Sequence, residues 1–209
     1  MKKFMAIFLI SVGIITIFYP KIADQYSYYQ KNKLIKEFRS SNAAVASFSE
    51  VNRLLEIKYD EDMPEVEEEV NPEIIGSSVI GMIEIGKIDL LLPILYGATE
   101  ANLKFGAGFL EGTAPLGGTG NTAVAAHRSH AFGKLFNRLD ELTTGDQIAI
   151  YTNQEMTNYI VQDIKLVLPS DISVLEDTGH DIITLITCHP MTNPTHRLIV
   201  HAKRIEEGA

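Results

Sequence analysis

From residue 80 onward the chain is a succession of short apolar segments separated by glycine and proline, and this pattern limits the folds open to it. Segments of this length, rich in Ile, Leu and Val, are typical of β-strands. Turn residues at such frequent intervals favour a closed or sandwiched β architecture. We predict strands over 80–85, 88–95, 122–126, 147–152, 157–168, 181–188 and 197–205. A helical turn at 100–105, a glycine-rich loop and a short helix at 134–142 complete the prediction.

Three residues with chemical potential stand at the ends of these strands. Cys188, the only cysteine, ends the strand 181–188, and Arg197 opens the next. A lone thiol cannot form an internal disulfide, and the junction of a strand and a loop displays reactive groups. His127 follows the strand 122–126. Each residue alone is more often structural, but the three together indicate nucleophilic thiol chemistry assisted by an imidazole.

The alternation of side chains along a strand predicts which way the residues around Arg197 and Cys188 point. In the last strand Arg197 faces opposite to the small apolar set that begins with Leu198. By the same rule His189, directly after the cysteine, points to the other face of its strand from Cys188. His196 is predicted to be a loop residue, and no role is predicted for His180 or His201.

Composition excludes several classes of function. The net charge of −9 argues against a nucleic-acid partner, which requires a basic surface. One cysteine and the absence of HExxH or CxxC spacing argue against a zinc site or a disulfide scaffold. We therefore predict no cofactor and no metal. Much of the acid excess lies between residues 60 and 73, which is typical of a solvated linker.

The N-terminus carries a membrane signal. Lys2 and Lys3 precede an apolar run over 4–19 that has no small-x-small cleavage site after it. We predict an uncleaved signal-anchor that makes the protein single-pass in the cell membrane, with its catalytic domain extracellular. The predicted division is an anchor at 1–21, a helical stalk at 22–58, an acidic linker at 59–78, a catalytic domain at 79–206 and a tail at 207–209.

Three sequence segments resemble motifs of the sortase family. T-L-I-T-C-H-P and T-H-R-L-I-V resemble the strand pair that carries the nucleophile and an arginine, and G-N-T-A-V-A-A-H-R resembles the histidine motif. The likeness extends over about 80–205. It implies a mainly β fold: a closed sortase-type barrel of about eight strands with short helices, preceded by a membrane helix and a helical stalk.

The resemblance also implies roles for individual residues. Cys188 would attack the Thr–Gly carbonyl of an LPxTG-like sorting signal, and His127 would act as general acid and later as base. Arg197 would hold the substrate and stabilise the oxyanion. Three residues would support the site: Thr187, Ala126 and His189. Thr187 would orient the nucleophile, and Ala126 stands where many members of the family have glycine. His189 and His130 are weaker candidates for tuning the thiol.

Two acceptor amines remain open. The Tyr19-Pro20 exit from the apolar run and I-E-I-G-K-I-D resemble pilin-polymerising, class C-like sortases, which join sorting-signal proteins to a pilin lysine. The alternative is a class D-like enzyme that anchors surface proteins to a peptidoglycan cross-bridge amine. Asp62-Met63-Pro64 lacks the aromatic residue of a class C lid, and no second apolar span follows the domain. We hypothesise that the acidic linker opposes Arg197 as a lid by charge.

Two readings outside this family stay open from the residues alone. One is a non-enzymatic, membrane-anchored β-domain that binds a peptide and keeps Cys188 inert. The other is a cysteine protease that releases its peptide to water. Reactivity of the thiol in the folded protein separates the first reading from catalysis, and capture of an added amine separates the second from transpeptidation.

Overall fold

The computed structural model describes residues 79–128 and 135–206, together with the helical residues 5, 19, 21–22, 25–26, 28–36 and 38 near the N-terminus. The predicted linker 59–78, the tail 207–209, His130, most of the anchor and the second half of the stalk lie outside the described residues. Among the described residues, no helix is both long enough and apolar enough to cross a membrane.

Eight strands close into one barrel in the order β1-β2-β3-β4-β7-β8-β6-β5. Pairing of β1 with β5 completes the ring, so no strand of the barrel presents a free edge. The strands are β1 Val79–Ile85, β2 Leu90–Tyr96, β3 Ala107–Phe109, β4 Asn121–Ala125, β5 Gln147–Tyr151, β6 Met156–Val167, β7 Ile182–His189 and β8 His196–Arg204. The short helix α1 is Glu100–Leu103, and 3-10 turns lie at Gly86–Ile88, Leu139–Glu141 and Ser173–Leu175. The predicted closed, mainly β barrel is confirmed.

Strand direction brings three particular ends together. β4 and β7 run parallel as neighbours, so the C-terminal ends of both strands lie at the same end of the barrel. β7 and β8 are antiparallel, which places the beginning of β8 at that end as well. We call this the active end of the barrel.

Alternation along the strands fills the interior. On β8, Leu198, Val200 and Ala202 belong to the core, and on β7 Ile183 and Leu185 do so. Residues between them point to the outer face, as a period of two requires. Tyr159 is also enclosed in this core, and its burial raises the pKa of its phenol to about 12.

The predicted helix over 134–142 is wrong for the described part of that segment. Leu135 has φ of 50°, outside the helical region, and only Leu139–Glu141 forms a single 3-10 turn. The reason is packing: Phe136, Leu139 and Leu142 are all buried. Their spacing of three matches the three-residue period of a 3-10 turn, which places all three side chains on one side.

The segment predicted as a glycine-rich loop contains a strand. β3 pairs parallel to β2 and antiparallel to β4. Its glycine is required by close approach, because a Cβ on Gly108 would lie 2.5 Å from the Cα of Ala98. Glycine marks a loop at other positions, whereas here it lets β3 lie close to the turn that follows β2.

Candidate active site

Cys188, Arg197 and His127 lie on three adjoining strands at the active end. Cys188 and Arg197 are direct partners in the register of β7 and β8. On the other side of β7, Ala125 pairs with Ile186, and the Ala126 amide donates to the Ile186 carbonyl at 3.1 Å. Continuing this parallel register by two residues sets His127 level with Cys188. Neighbouring strands lie about 4.8 Å apart, so the three residues occupy one compact patch.

The same three residues share the outer face of the barrel. Cys188 alternates with the inward-facing side chains of β7, and Arg197 precedes Leu198, which lies in the core. Ala126 is 5% exposed and belongs to the core, so the next residue, His127, turns outward. His127 is exposed, and Cys188 and Arg197 are partly buried. The geometry thus presents a thiol, an imidazole and a guanidinium to one bound molecule.

The thiol and the guanidinium are both available to a substrate. Cys188 is a free cysteine. Arg197 donates from Nη1 to the His196 carbonyl at 3.2 Å, and its contacts with the other described residues leave most of its donors unused. Within residues 79–128 and 135–206, no carboxylate lies at ion-pair distance from Arg197. A forked cation with unused donors is suited to a carbonyl oxygen that gains negative charge.

Thr187 and Ala126 form a buried link between β7 and β4. The Thr187 hydroxyl donates to the Ala126 carbonyl at 2.8 Å, and both residues are buried. Thr187 therefore faces inward, away from the thiol, and its contact is with the segment that carries His127. The methyl group of Ala126 is accommodated within the core.

His189 has a partner that the sequence did not single out. Arg128 Nη1 donates to His189 Nδ1 at 2.7 Å, and Arg128 Nη2 pairs with Asp140 at 2.6 Å. The only sequence signal for Arg128 is its place directly after His127 in the histidine motif. His180 is exposed, and His196 contacts Thr195 through its Nδ1.

A loop along the outer face flanks the patch. The segment between β6 and β7 begins beside the active end, since Val167 pairs with Arg197, and it returns to the opposite end at Ile182. Asn121, 3% exposed, holds this loop by donating from Nδ2 to two of its carbonyls, each at 3.0 Å. The hydroxyl of Thr184 donates to Asn121 Oδ1 at 2.7 Å and orients the amide. The loop is thereby anchored as one wall beside the outer face.

A closed β-barrel that presents a lone thiol beside an imidazole and a guanidinium defines a thiol-dependent acyl-transfer enzyme. The sequence matches the family model described as "Sortase domain" over residues 83–205. The chain therefore belongs to the sortase family, whose members are cysteine transpeptidases.

Known sortases of several classes are similar to the chain. Sortase A of Bacillus anthracis is 37% identical over 139 residues, 66% of this chain and 66% of that protein. The structure of a Clostridium perfringens Sortase D5 transpeptidase has a TM-score of 0.64 at 28% identity, covering 84% of this chain and 98% of that one. The structure of Streptococcus agalactiae Sortase C1 has a TM-score of 0.57 at 35% identity, covering 63% and 69%.

Proposed function

We propose that this chain cleaves an LPxTG-like sorting signal between Thr and Gly and transfers the new carboxyl end to an amine through a thioester on Cys188. The observation that carries the proposal is the shared outer-face position of Cys188, His127 and Arg197 at the active end. These are the groups that acyl transfer through a thiol requires: a nucleophile, a proton carrier and a donor for the developing oxyanion.

In the first half-reaction the Cys188 thiolate attacks the threonine carbonyl carbon. Arg197 stabilises the negative oxygen of the tetrahedral intermediate. The C–N bond to glycine then breaks, and His127 gives a proton to the departing amine. In the second half-reaction an acceptor amine attacks the thioester and His127 takes its proton. A new amide forms and Cys188 leaves as thiolate, which restores the enzyme.

The acceptor amine is proposed to be a lysine of a pilin subunit, so that the enzyme polymerises pilins. The resemblance of I-E-I-G-K-I-D to class C-like sortases supports this, as does the 35% identity to the S. agalactiae Sortase C1 structure. A cross-bridge amine of peptidoglycan is the second candidate. The match to Sortase D5, which covers 98% of that chain, favours it.

The remaining parts of the chain are assigned by sequence. The lysine-flanked apolar run over 4–19 supports a single-pass membrane anchor with the catalytic domain outside the cell. We retain the proposed bounds of 22–58 for a stalk, 59–78 for a linker with a lid role, 79–206 for the catalytic domain and 207–209 for the tail. Sorting-signal proteins and the acceptor amine would both reach the active end at the membrane surface.

Intact-protein mass spectrometry tests the reaction. The enzyme is incubated with an LPxTG peptide and with the same residues in scrambled order. We expect an added mass equal to the peptide up to its threonine less one water, present on the wild type and absent from Cys188→Ala. No adduct with any sorting-type peptide, or an adduct that persists in Cys188→Ala, contradicts the proposal.

Competition between two amines then identifies the acceptor. A lysine peptide, whose ε-amine represents a pilin, and diglycine, which represents a cross-bridge, are supplied together at equal concentration. Preferential formation of the lysine product supports pilin polymerisation. Preferential formation of the diglycine product supports anchoring, and hydrolysis that neither amine suppresses would indicate a protease.

A further inference from the structure

A buried guanidinium lies beneath the patch at the active end. The side chain of Arg128 is 6% exposed, and it has three partners among the residues that the structure describes. Nη2 pairs with Asp140 Oδ2 at 2.6 Å, Nη1 donates to His189 Nδ1 at 2.7 Å, and Nε donates to the Asn137 carbonyl at 3.4 Å. A buried cation is costly unless it is paired and hydrogen-bonded, and these partners meet that requirement.

The direction of the Arg128–His189 bond is fixed by chemistry. A guanidinium has donors and no acceptor, so His189 Nδ1 must accept. The imidazole is therefore neutral in this contact and carries its proton on Nε2. A carboxylate, a guanidinium and a neutral imidazole thus form a chain from Asp140 through Arg128 to His189.

This series of three hydrogen-bonded side chains joins the two segments that carry the thiol and the imidazole. Arg128 directly follows His127, and His189 directly follows Cys188. Because side chains alternate, Arg128 and His189 meet on the inner side while the preceding residues face outward. The 2.7 Å bond therefore spans β4 and β7 directly under the pair whose separation the reaction depends on.

The exposed His127 is otherwise held through its backbone neighbours. On its N-terminal side Ala126 is fixed by Thr187, and its own carbonyl accepts from the Phe136 amide at 3.1 Å. On its C-terminal side Arg128 is held by a backbone β-bridge to Leu135 and by its own side-chain contacts. Losing the side-chain contacts removes the link between this flank of His127 and the segment that carries Cys188.

We propose that Arg128 is a positioning residue that, oriented by Asp140 and bonded to His189, sets the spacing between the His127 imidazole and the Cys188 thiol. The inference rests on the roles proposed above for His127 and Cys188. Neither Arg128 nor His189 touches the substrate, and Arg197 lies on the other face of the sheet. The bridge therefore acts on the chemical step and leaves peptide binding unchanged.

Two substitutions at His189 separate the effect of losing the Arg128–His189 hydrogen bond from the effect of changing side-chain packing. His189→Asn keeps an acceptor oxygen near the place of Nδ1, whereas His189→Leu fills similar space without an acceptor. We expect His189→Leu to lower kcat for the sorting peptide by about tenfold or more with KM unchanged, because small misplacements of reacting groups are costly. His189→Asn should restore most of the rate. His180→Leu is the matched control, because this exposed histidine lies just before β7, at the opposite end of the barrel from the patch, and the change should leave both constants unchanged.

Three results would overturn the inference: wild-type kcat in His189→Leu, equal loss in His189→Asn and His189→Leu, or a change confined to KM. If His189→Leu does not fold, Asp140→Asn serves instead, because Asp140 is 45% exposed and asparagine keeps the size of the side chain and an oxygen that accepts from Arg128 while losing the charge that orients the guanidinium. It should lower kcat with KM unchanged, and wild-type kcat in a folded Asp140→Asn would also overturn the inference. Failure of the proposed function is distinct, since the wild type itself would then form no peptide adduct.

Discussion

Replacing Thr187 by valine tests how the active end is held together. Valine has nearly the same shape, so the change removes a hydroxyl without opening a cavity. The hydroxyl is the donor to the Ala126 carbonyl at 2.8 Å, in a position where Thr187 is 2% exposed and Ala126 is 5% exposed. Water cannot readily replace the lost donor there, so the carbonyl loses a partner in a dry environment.

The expected cost is that of an unsatisfied buried acceptor, about 1–3 kcal/mol of unfolding free energy. For a domain of this size, each kcal/mol corresponds to a fall in Tm of roughly 3–5 °C. Thermal unfolding followed by circular dichroism, with urea denaturation as a second measure, resolves a change of this magnitude. Activity should fall as well, because the released carbonyl belongs to the residue before His127.

Thr187→Ser is the matched control, since it keeps the hydroxyl and removes one methyl group. It should retain the hydrogen bond and lose only the smaller packing contribution of a buried methyl, about 1 kcal/mol or less. A Thr187→Val protein as stable as the wild type would refute the reasoning. So would a Thr187→Ser protein that loses stability and activity to the same extent as Thr187→Val.

Three further predictions concern other parts of the barrel. Asn121→Asp replaces an amide that donates to two loop carbonyls with a carboxylate that cannot donate. Hydrogen exchange of the backbone amides in loop 173–176 should accelerate, and unchanged exchange would contradict this. Arg197→Lys keeps the charge but loses the fork, so kcat/KM should fall at least tenfold, and a wild-type value would remove the oxyanion role. Burial of the imidazole is the main cause that lowers the pKa of His201 below its ordinary value of 6.5. The positive charge of Lys165 lowers this pKa further, and the negative charge of Asp163 partly opposes the shift. The unfolded chain therefore binds the proton more readily, stability falls as pH drops below about 6.5, and His201→Gln should flatten that slope in urea titrations.

Strand alternation was the part of the sequence that carried the most structural information. It placed Arg197 opposite Leu198 and turned His189 away from the face of Cys188, and the structure has both arrangements. These predictions succeeded because a period of two follows directly from backbone geometry. The closed barrel was predicted from the family resemblance, since the strand pattern alone left a sandwich equally open.

Long-range pairing was beyond the reach of the same reasoning. β3 was missed because its glycine, needed for close approach to Ala98, is locally identical to a loop glycine. Arg128 was missed because its partners, Asp140 and His189, are 12 and 61 residues away. The parallel pairing of β4 with β7 brings Arg128 to His189, Asp140 comes from the 3-10 turn Leu139–Glu141, and no local periodicity encodes either contact.

A crystal structure of the enzyme with a sorting-peptide analogue bound covalently to Cys188 tests the central claim most directly. The account predicts that the peptide lies on the outer face of β4, β7 and β8. The oxygen that represents the threonine carbonyl should lie within about 3 Å of the Arg197 guanidinium, with the His127 imidazole on the leaving-group side. A bound peptide that extends from the Cys188 thiol across a different face of the barrel, without contacting Arg197 or His127, would contradict the account.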